Sequence, residues 1–165
     1  MEWEARTVEE RNLLNPSFCS VLLWYAARGY ASQSVNDGLP FEVIFLVLAI
    51  VLHRGTRESL PKTTKTSVPV WLDLNPLAGS HIADRSRALV PFTKEAMSFG
   101  GVYGMLRFQN GNVAGVAEWK RKIEGILSEC SVEVRECAKR AEFLGKWFAK
   151  IGNASTILAL FGVRP

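Results

Sequence analysis

The stretch VYGMLRFQNGNVAGV, residues Val102 to Val116, interrupts a chain that otherwise reads as helix. Val102, Tyr103, Met105, Leu106 and Phe108 suit a strand. Asn110-Gly111 is a dipeptide favoured in two-residue hairpin loops because both positions tolerate positive φ, and Val113 to Val116 supply the return. The expected class is therefore α+β, predominantly helical: a small helical domain with one β-hairpin. Short helices followed by a hairpin are the order of a winged helix, and the same order occurs in other small α+β domains.

Before the hairpin, helix signals are frequent. In RNLLNPSFCSVLLWYAARGY (Arg11 to Tyr30), Asn15 is a good N-cap, Pro16 fits the first helical position, and Gly29 is expected to end the helix. Phe18, Val21, Leu22 and Tyr25 form one stripe, while Cys19, Leu23, Trp24 and Ala27 form a second beside it. A surface helix needs one apolar stripe. This one requires cover on several sides, from its own domain or from another chain.

A second buried helix is expected from Phe41 to Leu52, opened by Pro40 and closed by His53, Arg54 and Gly55, with His53 near the last carbonyls. Thr56 then caps a short turn. Ser67 is the expected N-cap of a further short helix whose buried side is supplied by Val68, Trp71, Leu72 and Leu74. From His81 onward a helical pattern is expected to break near Val90 because of Pro91, and its second piece to end at Gly100-Gly101.

After the hairpin, Cys130, Val134, Cys137, Ala141, Leu144, Phe148 and Ile151 recur at steps of four and three, an a/d heptad seam. Ser131 caps this helix and Gly152 stops it. The seam packs into its own core or against a partner. The organisation expected is a single domain over 1–165: a helical part (1–100), the hairpin (101–117), and C-terminal helices with an apolar tail (118–165).

Composition narrows the function classes. The 165 residues carry 20 Lys and Arg against 16 Asp and Glu, a formal charge of +4 that permits contact with nucleic acid without requiring it. Three cysteines lie in apolar patterns without CxxC spacing, which points to reduced thiols in a cytoplasmic protein and away from a zinc site. The longest apolar run is shorter than the roughly 20 residues needed to span a bilayer, so no membrane partner is expected.

No phosphate loop, dinucleotide fingerprint, HExxH or GxSxG motif occurs, so no catalytic, cofactor-binding or metal-ligating residue is assigned. His81 and Asp84 share a helical face and read as a surface pair. One basic segment, HRGTRESLPKTTK, groups Arg54, Arg57, Lys62 and Lys65 against Glu58. These four are candidates for contacts to phosphate or to an acidic protein surface, or else form a solvated loop. The apolar residues Phe18, Leu22, Trp24, Ile157, Leu160 and Phe161 are candidates for meeting a partner.

Taken together, EERNLLNPSFC, LPFEVIFLVLAIVLHRGTRESLP, LVPFTKEAMSFG, AEFLGKWFAKIG and the ending LFGVRP resemble, in order over nearly the whole chain, the middle component of bacterial three-component ABC systems of the Lamassu-like kind. The resemblance implies a non-catalytic adaptor subunit working with an SMC- or Rad50-like ATPase and a separate effector such as a nuclease, in defence against phage or plasmids. DNA would then be met through the assembled complex. The alternative is a winged-helix DNA-binding module acting alone, and a third reading is a small enzyme.

Overall fold

A computed structural model describes residues 3–164. The elements follow the chain as α1 (Val8–Leu13), α2 (Pro16–Ala31), β1 (Leu39–Pro40), α3 (Ile44–Val51), α4 (Arg54–Ser59), α5 (Val68–Leu74), α6 (Ala78–Ala88) and α7 (Val90–Val102). They continue as β2 (Leu106–Gln109), β3 (Asn112–Gly115), α8 (Lys120–Ser128), α9 (Val132–Ala149) and α10 (Ala154–Leu160). The chain is α+β and predominantly helical. No helix among the described residues is long and apolar enough to cross a membrane.

The hairpin forms where Asn110-Gly111 places it, with φ of 53° and 74° at the two loop positions. Leu106 pairs with Gly115 and Gln109 with Asn112. Val102 ends α7 and Tyr103 is its C-cap, so neither belongs to the strand, and both are exposed; Leu74 at the end of α5 is exposed too, against the expectation of burial. A third strand joins: Leu39 pairs with Val113 and Pro40 with Asn112, so the antiparallel sheet has the order β1-β3-β2. Helix, short strand, helices, then a hairpin whose return strand holds that first strand is a winged-helix-like connectivity.

Helix α2 is the axis of the core. Asn15 Oδ1 accepts from the Ser17 and Phe18 amides, and Pro16 opens the helix as expected. Gly29 does not end it; the helix runs on to Ala31. Gly29 is buried against the Glu142 carbonyl of α9, and Gly145 of α9 lies against the Ala26 carbonyl and the Tyr30 amide. Two helices approach this closely only where a side chain is missing from each, so these glycines serve packing.

The heptad seam of α9 is largely internal: Cys137, Ala141, Leu144 and Phe148 are buried, while Cys130, Val134 and Ile151 are half-buried. Ser131 caps α9 by accepting from the Val134 amide, and Gly152 follows with φ of 74°. Beside α9, α7 and α3 cover other sides of α2. Trp24 covers the sheet's end, its indole donating to the Val116 carbonyl at 2.9 Å.

Helix α3 starts at Ile44, later than expected, because Pro40 is engaged in the sheet and residues 41–43 form a turn. His53 does not serve the end of α3. It is the N-cap of α4, its Nδ1 accepting from the Thr56 amide at 3.1 Å, and Thr56 and Gly55 lie inside α4. The Thr56 hydroxyl, 2.8 Å from His53 Nδ1, also accepts from Arg85 of α6 at 2.8 Å. Because the Thr56 amide donates to Nδ1, that ring nitrogen is the one without a proton. His53 is exposed as a residue, and partial desolvation of its ring, then the charge of Arg85, holds the imidazole below its ordinary pKa.

Candidate functional site: a charged groove and an apolar groove

The basic segment lies along a groove between α4 and the first half of α9. The space measures about 730 Å³ and is lined by Arg54, Arg57, Lys62, Glu133, Lys139 and Arg140 among others. Arg57 is 6% exposed: Nη1 donates to the Val51 carbonyl at 2.8 Å and Nη2 to Glu133 at 2.9 Å. Arg54 pairs with Glu58 on the open surface at 2.8 Å, and that hydrogen bond holds the Glu58 carboxyl below its usual pKa.

The connector from α4 to α5 is held from below by three donors. Trp71 Nε1 bonds the Ser59 carbonyl at 2.8 Å, Arg140 the Pro61 carbonyl at 2.6 Å, and Trp147 Nε1 the Thr66 carbonyl at 2.7 Å. Lys62 and Lys65 are exposed on this anchored loop. The four basic candidates thus divide: Arg57 is committed to the fold, Arg54 has a carboxylate partner, and Lys62 and Lys65 face solvent.

The six apolar candidates divide as well. Leu22, Trp24, Ile157 and Phe161 are at most 2% exposed, inside the chain's own core. Phe161 meets Phe148 edge-on with centroids 5.9 Å apart, so α10 and the turn after it close the core beside α9. Phe18 and Leu160 are half-buried. His81 is exposed, and Asp84 pairs with Arg87 at 2.8 Å.

Phe18 points to a surface that the pattern of the sequence did not reveal. With Val21 it lines a groove of about 440 Å³, together with Phe99, Tyr103 and Met105 and with Ile123, Ile126 and Val134. The Phe99 and Tyr103 rings lie 4.5 Å apart. A separate depression shares Phe99 and Tyr103 with this groove and lies along α7 over Pro91, Lys94, Ser98 and Val102. Val102 is 84% exposed, and Tyr103 and Ile126 are each 59% exposed. The signal in the sequence was the Ile123, Ile126, Leu127 stripe, in which Ile126 is more than this short helix needs for its own packing.

The charges at this groove are few and mostly positive. Lys122 lies on its wall, its ammonium 4.6 Å from the centroid of Trp119, and Lys94 lies farther along α7. Neither makes a salt bridge within the described residues, whereas Glu95 is held by Arg6 at 2.6 Å.

The fold and these surfaces define a small helical α+β domain whose own core takes in most of the apolar residues described and leaves the groove at Phe18 open. The chain belongs to the Middle Component 3 family of ABC-three component (ABC-3C) systems, whose family model matches residues 3–165. Neither a curated protein nor a solved structure matches it.

Proposed function

We propose that this chain is the non-catalytic adaptor that joins an SMC- or Rad50-like ATPase to an effector subunit, a nuclease, in a cytoplasmic complex acting against phage or plasmids. The observation that carries this reading is membership of a middle-component family over residues 3–165. A middle component has other components as partners, and a domain with an open apolar groove has a surface to offer them. In this reading nucleotide chemistry belongs to the ATPase, damage belongs to the effector, and DNA is met by the assembly. Co-expression with the ATPase and effector of the same system tests the proposal: the tagged chain should retain both, and failure to retain either would refute it.

A second reading, a DNA-binding module acting alone, is favoured by the β1-β3-β2 sheet order. The helix before the hairpin, α7, opposes it. Its outer face presents Pro91, Lys94, Glu95, Ser98 and Val102, a single cation beyond the Glu95 that Arg6 holds. Duplex binding draws on several phosphate-neutralising cations. Fluorescence anisotropy of the isolated chain with a labelled duplex at low salt separates the readings: tight, salt-dependent binding would support the module.

A further inference from the structure

We infer that the apolar groove between α2, α7 and α8 is the seat of an amphipathic helix, apolar on one face and flanked by carboxylates, supplied by another component of the assembly. The inference rests on the adaptor reading. Three observations carry it. Phe18 and Val21 of α2 line the groove, two of the apolar residues on that helix that the chain's own elements leave half-covered. Tyr103 at the end of α7 and Ile126 of α8, each 59% exposed, line the same depression, so two different elements offer it apolar surface. The charges left without an ion pair, Lys122 at one rim and Lys94 farther along α7, are cations, and the one carboxylate there is already taken by Arg6.

A helix laid in such a groove buries residues at i, i+3, i+4 and i+7 against the floor. Carboxylates flanking that stripe would meet Lys94 and Lys122, which fixes orientation and speeds encounter. A basic or wholly apolar helix would leave the two ammonium groups facing like charge or hydrocarbon. A nucleic acid would find only two cations here and an apolar floor.

The native chain carries its own reporter, because Cys130 lines the groove as a free thiol while Cys19 and Cys137 are buried. The experiment co-expresses the tagged chain with the ATPase and effector and measures alkylation of Cys130 by iodoacetamide, read by mass spectrometry, in the isolated chain and in the purified complex. Alongside it, Tyr103→Glu and Ile126→Glu, which alter exposed positions, are compared with Leu74→Glu on α5 as a control. The expected result is Cys130 alkylation slowed about tenfold or more in the complex. Both groove variants should lose a component with helical circular dichroism unchanged, Leu74→Glu should keep it, and Lys122→Glu should weaken retention.

A complex that retains every component in the groove variants, with Cys130 equally reactive free and bound, overturns the groove and leaves the adaptor reading standing. No component retained by the unaltered chain overturns both. Protection of Cys130 already in the isolated chain, together with a dimeric mass in solution, replaces the proposed helix with a second copy.

Discussion

Gly145 of α9 lies against the Ala26 carbonyl of α2, and a methyl group at Gly145 would overlap that oxygen and sit 2.6 Å from the Tyr30 amide nitrogen. The overlap is with backbone, so no rotamer change relieves it and the helices must move apart. Gly145→Ala should therefore destabilise the chain by about 1–3 kcal/mol, as for an overpacked core, which is roughly 2–12 °C in Tm. At Gly125, in the exposed middle of α8, a methyl group would meet nothing within 4 Å. Gly125→Ala should stabilise by about 0.5–1 kcal/mol because the backbone loses less freedom on folding. Thermal unfolding of both variants checks the pair; equal effects would mean that the α2–α9 crossing is looser than these contacts require.

The four basic candidates should separate in a stability measurement. Arg57→Ala removes a buried, charge-assisted donor to the Val51 carbonyl and should cost about 1–3 kcal/mol. Arg54→Ala breaks only a solvated i,i+4 pair and should cost about 0.3–0.5 kcal/mol. Urea denaturation midpoints decide the matter, and similar losses for the two would remove Arg57 from its structural role.

Acid should weaken the chain through His53. Its folded-state pKa is depressed, by partial desolvation of the ring and then by Arg85, so the neutral form is the one the fold prefers. The stability it contributes is present above the unfolded value of about 6.5 and is lost as pH falls through the lower folded value. His53→Asn keeps a competent N-cap without a titrating group. The unaltered chain should then lose more Tm between pH 8 and pH 5 than the variant does, and parallel losses would exclude His53 as the source.

Thiol chemistry should follow burial. Cys19 is fully buried and its pKa is pushed up to about 12 by that burial, and Cys137 is buried beside the end of α3. In the folded chain iodoacetamide should modify Cys130 first, with the other two reacting only after denaturant is added. Early modification of Cys19 would show that α2 opens more readily than its packing implies.

Signals that act within a few residues were legible in the sequence. Asn110-Gly111, Asn15, Ser67 and Ser131 each act locally, and each lies where its chemistry placed it. Gly29 was not legible in the same way, since a glycine that ends a helix and one that admits a neighbouring helix look identical until the neighbour is known. The two-residue strand Leu39–Pro40 has too few positions to show any period. The Arg85 guanidinium that bonds the Thr56 hydroxyl beside His53 comes from α6, well beyond the reach of any local pattern. The apolar candidates failed to separate for a similar reason: hydrophobicity marks Phe18 and Phe161 alike, and only the packing of α9 beside α10 buries one and leaves the other at a groove.

The adaptor role is tested most directly by pulling down a tagged ATPase component from cells that make the effector, with and without this chain, and quantifying the effector retained. The effector should stay on the ATPase only when the chain is present, and the three should elute together as one species. Equal retention of the effector in the absence of the chain would contradict it.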